Sequence, residues 1–242
     1  MARGRPDYAQ TAPIEGVWGV SDLGEVAARL GSASTWERRG HVVWQDWFEH
    51  GLQPWAYIGN GTGSGVVCKL GTTYRGNLAA ELTGGSDGLA NAYIHVTLPL
   101  VTYERMGLEV ALAPRDNWEW FEIHSNIYTG ARLYTGRLRY YRTDNSLCIY
   151  TTGGVKIVLA SGLKPLFQGD VWHIMKLVVD FTTLKYVRAI FENTEYNLAG
   201  YDMYDLGATS NLYCSFYVWV SSNVGVNGVL KVGQVIITRN EP

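Results

Sequence analysis

The segment NWEWFEIHSN (117–126) carries two carboxylates, two tryptophans and a histidine. Two carboxylates on one side of a strand could act as the acid and the base or nucleophile of glycoside hydrolysis, which requires them about 5 to 10 Å apart. Side chains alternate along a strand, so Glu119 and Glu122 point to opposite faces. This spacing argues against a carboxylate pair here. We therefore predict no catalytic residues and a protein that is not an enzyme.

The same alternation predicts an aromatic and charged strand face. Trp118 shares its side with His124, opposite the apolar Phe121 and Ile123, and other strands repeat the pattern. The predicted face contains Trp118, Trp120, Glu122, His124, Arg137, Arg139, Tyr141, Tyr186, Arg188, Tyr217 and Trp219. Tyr, Trp and Arg are typical of interface cores. Three interpretations remain open: burial inside the chain, a subunit interface, or a glycan-binding surface.

The elements that position these residues are predicted to be strands. The chain is 47% hydrophobic and 17% charged, which is sufficient for a large core. From Val42 onward, strand-like runs follow one another at short intervals without intervening helices, which predicts an all-β, antiparallel two-sheet sandwich. GLEVALA (107–113) and WEWFEIH (118–124) are predicted to form one hairpin, and Gly153-Gly154 to close another.

The N-terminal part differs in character from the rest. Residues 1–13 are polar and contain two prolines, which indicates an extended arm. Residues 22–30 are predicted to form a short helix that Asp22 caps. We therefore divide the chain into an arm with a short helix, 1–40, and one sandwich domain, 41–242.

Composition excludes several classes of partner. The net charge of −2 gives no basis for binding nucleic acid through phosphates. No signal peptide follows Arg3 and Arg5, and no apolar run is long enough to span a membrane. The five histidines lack metal-binding spacing, and the glycine-rich run 59–65 lacks the Lys-Ser/Thr of a phosphate loop. We predict no metal and no cofactor.

Three segments carry a resemblance to a known fold. The strand pair VWHIMKLVVDFTTLKYVRAIFENTEYNL (171–198), the closing VGQVIIT (232–238) and the opening DWFEHGLQPW (46–55) resemble concanavalin-like jelly rolls of the laminin-G, lectin and glucanase type. In such modules a structural calcium often lies between a glutamate of the first strand and an aspartate of the last. Glu49 fits the first position, but Gln234 occupies the region of the second, so the resemblance does not extend to the metal.

The N-terminal segments MARGRPDY (1–8), DLGEVAARLGS (22–32) and ERRGHVVWQDWFEHG (37–51) are similar to structural proteins of tailed phages and environmental viruses. This resemblance implies a non-enzymatic virion subunit, such as a capsid decoration, head-fibre or tail-associated protein. It also implies a homo-oligomer that contacts other virion proteins, is assembled in the host cytoplasm, and touches host-surface glycans.

Two alternatives to the virion role remain. The first is a stand-alone lectin-like module that binds carbohydrate on the predicted face. The second is a glycoside hydrolase or polysaccharide lyase, which is less favoured because the sequence shows no acid and base set. We expect the virion role, with glycan adhesion as a secondary property.

Overall fold

The computed structural model describes residues 39–71, 73–74, 76–87, 90–99, 104–115, 117–167 and 171–242. The predicted arm and the predicted helix lie outside these residues. From His41 to Pro242 the chain forms one compact unit. Within the described ranges, no helix has the length and apolar character needed to cross a membrane.

The described ranges contain strands and one short 3₁₀ turn, Thr152–Gly154. The strands are β1 (His41–Asp46), β2 (Ala56–Asn60), β3 (Gly65–Leu70), β4 (Leu78–Thr83), β5 (Asn91–Leu98), β6 (Arg105–Pro114), β7 (Trp118–Thr129), β8 (Arg132–Tyr141), β9 (Ser146–Thr151), β10 (Val155–Ala160), β11 (His173–Asp180), β12 (Lys185–Phe191), β13 (Thr194–Asn197), β14 (Tyr204–Ala208), β15 (Leu212–Ser222) and β16 (Val229–Arg239).

These strands form two antiparallel sheets of eight strands each. Sheet A has the order β13-β12-β11-β6-β16-β4-β3, with β1 also paired to β16. Sheet B has the order β10-β9-β8-β7-β15-β5-β2, with β14 also paired to β8. The prediction of an all-β, antiparallel two-sheet sandwich is confirmed.

The core lies between the inner sides of the two sheets. Leu108 and Val110 of β6 and Phe121 and Ile123 of β7 are fully buried in one apolar cluster. Each such side chain contributes roughly 1.5–3 kcal/mol on burial. The residues between them on β7 therefore point away from the core, which places the charged side of this strand on the outside of sheet B.

The prediction that 107–113 and 118–124 form a hairpin is wrong. Strand β6 pairs with β11 and β16 in sheet A, whereas β7 pairs with β15 and β8 in sheet B. Both edges of each strand are occupied, so the two cannot pair, and the turn between them crosses from one sheet to the other. The predicted β9–β10 hairpin is confirmed, with Gly153 at φ 76° and Gly154 at φ 75°, a conformation that favours glycine.

Candidate functional site

The outer side of sheet B carries a continuous group of rings and charges, which we call the aromatic face. Its members alternate with core residues such as Ile94, Ile123 and Val218. The aromatic face consists of Tyr93, His95, Trp120, Glu122, His124, Arg137, Arg139, Tyr141, Tyr150, Lys156, Tyr217 and Trp219. Most of these side chains are partly exposed, whereas Glu122 and His124 are buried at its centre.

The centre of the aromatic face is a buried ion pair between adjacent strands. Arg139 Nε donates to Glu122 Oε2 at 2.7 Å and Arg139 Nη2 donates to Oε1 at 2.9 Å. Glu122 is 1% exposed, and the Arg139 guanidinium lies 3.8 Å from the centroid of the Trp120 ring. Burial alone would raise the pKa of Glu122, but the interactions with His124 and Arg139 outweigh burial and lower it. Glu122 is therefore a structural carboxylate.

The rings of the aromatic face stack on one another. Tyr93 and Trp219 stack at 4.4 Å with planes 9° apart, and His124 stacks on Trp219 at 5.3 Å with planes 15° apart. His95 and Tyr217 form a second stack at 4.7 Å and 18°. Because their flat sides are turned to each other, these rings offer their edges and polar atoms to a ligand. The surface is suited to hydrogen bonding more than to flat stacking.

One line of residues crosses the aromatic face perpendicular to the strands. Tyr217 is in register with His95 on one side and with His124 on the other, and His124 is in register with Arg137. The register of β8 and β9 ends at Leu138 opposite Ile149. The Tyr186 hydroxyl bridges the next residues, Arg137 and Tyr150. Tyr150 in turn is in register with Lys156 on β10. We call His95, Tyr217, His124, Arg137, Tyr150 and Lys156 the Arg137 row.

Tyr186 was predicted on the face but lies beneath it. Strand β12 belongs to sheet A, and Tyr186 crosses the core with 1% exposure. Its hydroxyl accepts the Arg137 N–H at 2.8 Å and donates to the Tyr150 carbonyl at 2.7 Å. Gly136 leaves the necessary space, since a Cβ there would lie 2.6 Å from Val179 Cγ1. Tyr186 therefore fixes the backbone of the Arg137 row from below.

Trp118 and Arg188 were also predicted on the face, and both are elsewhere. The β15–β7 register shifts between Ser221 and Ser222, so Trp118 turns inward and packs with its ring 5.0 Å from Phe167. The bulge breaks the period-two alternation on which the prediction depended. Arg188 points outward from sheet A, where it binds Glu241 and donates to the Pro242 carbonyl at 2.6 Å.

Eight predicted residues do come together: Trp120, Glu122, His124, Arg137, Arg139, Tyr141, Tyr217 and Trp219. The sequence reasoning missed the other four members, Tyr93, His95, Tyr150 and Lys156. Tyr93 and His95 alternate with the buried Ala92 and Ile94, so the same period-two signal was present in β5. Only the pairing of β5 with β15 shows that they belong to the site.

The buried imidazole of His124 predicts an acid-sensitive stability. Burial, assisted by Arg137 and Arg139, lowers the pKa of His124 from 6.5 although Glu122 opposes this effect. Below pH 6.5 the unfolded chain therefore binds a proton that the folded chain does not, and the free energy of unfolding decreases. We expect His124→Gln to reduce this slope by up to about 1.4 kcal/mol per pH unit.

The measurement is urea unfolding between about pH 7.5 and 5.5, where Glu122 is ionised because its pKa is lowered. His50→Gln, at an exposed position, controls for the loss of a histidine as such. Equal slopes for wild type and His124→Gln would contradict the prediction.

The Glu49 carboxylate is bound to the backbone. Its Oε1 accepts the backbone N–H of Asn77 at 2.5 Å. Across the residues that the structure describes, no three His, Cys, Asp or Glu side chains converge as metal ligands.

Comparison with known proteins found similar solved structures but no matching sequence family. No family model and no curated protein matches the chain. An endo-β-1,4-glucuronan lyase from the fungus Trichoderma reesei is similar in structure, with a TM-score of 0.57 and 10% identity over 82% of this chain and 96% of that one. The cellulose induced protein Cip1 gives a TM-score of 0.54 at 9% identity, covering 81% and 96%. A carbohydrate esterase from Shiga toxin-encoding bacteriophage phi24B gives 0.50 at 11% identity, covering 78% and 92%.

The chain is a concanavalin-like jelly-roll sandwich. The expectation of a virion structural subunit is wrong. The similar structures are a lyase, a cellulose induced protein and an esterase, and none of these three is described as a virion structural protein. The one phage protein among the three is described as a carbohydrate esterase.

Proposed function

We propose that the protein binds a polysaccharide along the Arg137 row. The observation that carries the proposal is the row itself, which spans six neighbouring strands from His95 to Lys156. With adjacent strands about 4.8 Å apart, the row extends for roughly 24 Å. An extended polymer of sugar rings can follow such a line, whereas a compact small molecule would contact only part of it.

The chemistry of the row suits sugar hydroxyls. Burial raises the pKa of Tyr217, so its hydroxyl remains protonated and can both donate and accept a hydrogen bond. Burial lowers the pKa of His95, so its neutral imidazole likewise has one donor and one acceptor. Beyond His95, a cavity of about 330 Å³ lined by Trp44, Pro54 and Ala56 continues the surface at the edge of sheet B. The names of the similar structures, which concern glucuronan, cellulose and carbohydrate esters, support the same substrate class.

Replacement of Tyr217 tests this function. We expect Tyr217→Ala to raise the Kd for the bound polysaccharide by about thirtyfold, since aromatic residues at the centre of a binding surface typically contribute about 2 kcal/mol. Tyr217→Phe keeps the stack on His95 and removes the hydroxyl, so its loss should be smaller. The measurement is titration calorimetry with soluble neutral and acidic polysaccharides.

Tyr196→Ala, on β13 of the other sheet, is the matched control and should leave the Kd unchanged. The proposal fails if the wild type binds none of the polymers, or if Tyr217→Ala binds as tightly as the control.

A second candidate function is cleavage of an acidic polysaccharide by β-elimination. The observation that favours it is the adjacency of Tyr217, His124 and Arg137, which provides a phenol, an imidazole and a cation on neighbouring strands. One of the similar structures is a glucuronan lyase. Binding is the better supported function because His124 is only 4% exposed. Incubation with glucuronan and detection of the unsaturated product by ultraviolet absorbance would separate the two.

A further inference from the structure

The Arg137 row carries positive charges and no negative charge. Its cations are Arg137 and Lys156, it contains no carboxylate, and its two histidines are neutral at pH 7 because burial lowers the pKa of each. The carboxylates around it are already matched. Glu122, in the neighbouring line, is held by Arg139, and Asp205 at the edge of sheet B lies 2.6 Å from Arg132. A ligand that lies along the row therefore meets a net positive surface.

Arg137 is the cation at the centre of this surface that has no anionic partner. Within the described part of the chain it forms no ion pair, and its Nε has no hydrogen-bond partner. By contrast, Arg139 is bound to Glu122 through two nitrogens, and Lys156 lies 3.5 Å from Asp144. A planar guanidinium presents paired N–H donors that match a carboxylate. A partly buried guanidinium without a counter-charge is costly unless a ligand supplies one.

The surroundings hold this guanidinium in place. The Arg137 backbone N–H is fixed by the Tyr186 hydroxyl from below, and the guanidinium carbon lies 5.4 Å from the centroid of the Tyr204 ring. On the strand next to it, His124 is in register with Arg137. The backbone of Arg137 is therefore fixed and its guanidinium lies beside the Tyr204 ring before any ligand arrives, which reduces the entropic cost of binding.

We infer that the polysaccharide is acidic, and that Arg137 binds a carboxylate of a uronate residue at the middle of the row. This inference rests on the proposed function and narrows it to one substrate class. It assigns the recognition of hydroxyls, which neutral and acidic polymers share, to the partly exposed His95 and Tyr217 of the row.

A matched pair of ligands tests the inference. One is a soluble β-1,4-linked polyuronate, and the other is the same polymer after its carboxylates have been reduced to alcohols. We expect reduction of the polymer to weaken binding to the wild type by about ten- to a hundredfold, the range of a charge-assisted hydrogen-bonded pair. Arg137→Gln should weaken binding of the polyuronate by a similar factor and weaken binding of the reduced polymer by a much smaller factor.

Two further variants sharpen the result. Arg137→Lys keeps the charge but loses the forked geometry, so it should bind the polyuronate with an intermediate Kd. Arg132→Gln removes an arginine from the same strand at its exposed ion pair with Asp205, and should bind both polymers as the wild type does. Thermal unfolding of each variant confirms that it is folded.

The outcomes distinguish a failure of the acidic-substrate inference from a failure of polysaccharide binding altogether. Equal binding of both polymers by the wild type, or unchanged polyuronate binding by Arg137→Gln, would overturn the acidic substrate while leaving polysaccharide binding intact. If sulfated and carboxylated polymers bind equally well and both depend on Arg137, the carboxylate assignment is wrong and the site recognises anionic sugars in general. Failure of every polymer to bind would overturn the proposed function as well.

Discussion

Replacement of Arg139 by methionine is expected to destabilise the protein by about 3–5 kcal/mol. The change leaves Glu122 with 1% exposure and without the guanidinium that occupies both of its oxygens. A buried carboxylate without its partner costs far more than the lost attraction itself, because it was already removed from water. Urea unfolding at neutral pH measures the effect.

The loss of stability in Arg139→Met should become smaller as the pH falls. Without Arg139 the pKa of Glu122 loses one of the interactions that lower it, while His124 remains 2.6 Å away, so protonation of this buried pair relieves the unmatched charge as the pH falls. The difference between wild type and Arg139→Met should therefore be smaller near pH 5 than at pH 7. The double change Arg139→Met with Glu122→Gln removes the unpaired charge and should recover much of the stability.

Arg132→Met provides the control, since the ion pair of Arg132 with Asp205 is at the surface and should contribute less than about 1 kcal/mol. A loss of less than about 1 kcal/mol for Arg139→Met as well would show that Glu122 is not a buried, ionised carboxylate.

Trp118→Ala is expected to cost about 3–5 kcal/mol of stability, whereas Trp120→Ala should cost much less. The two tryptophans are two residues apart, but Trp118 is 1% exposed within a cluster of rings and Trp120 lies on the aromatic face beneath Arg139. Removal of Trp118 leaves a large cavity between the sheets. Removal of Trp120 loses a cation–π contact with Arg139, which contributes about 0.5–2 kcal/mol.

The two tryptophan variants should differ in polysaccharide binding as well, but here the larger effect should come from Trp120→Ala. Trp120→Ala loosens Arg139 at the centre of the aromatic face and should raise the Kd for polysaccharide. Trp118→Ala, measured where it is still folded, should leave the Kd nearly unchanged. Unfolding curves and calorimetric titrations of both variants provide the comparison. Equal stability losses would mean that the bulge between Trp118 and Trp120 is absent and that both rings share one side of β7.

Much of the fold could be predicted from local patterns. The two-sheet sandwich follows from period-two alternation in strands such as β15, where Phe216 and Val218 alternate with Tyr217 and Trp219. The β9–β10 hairpin follows from two glycines in succession. These features depend on neighbours in the chain, because side-chain alternation and turn conformation are local properties of the backbone.

The assignment of strands to sheets required the tertiary structure. The short connection between β6 and β7 resembles a hairpin in sequence, but each strand has two other partners far away in the chain. Pairing over such distances depends on which apolar sides close the core together, and no local pattern encodes that choice. For the same reason Tyr186 and Arg188 could not be distinguished from site residues.

Most residues of the aromatic face could therefore be predicted from the sequence, whereas their partners on neighbouring strands could not. Alternation alone puts Glu122 and His124 on one side of a strand. The register between strands decides that Glu122 meets Arg139 and that His124 meets Arg137. Arg139 is neutralised by Glu122, whereas Arg137 has no carboxylate partner among the described residues. Ion pairing depends on distances between residues that only the folded sheets bring together.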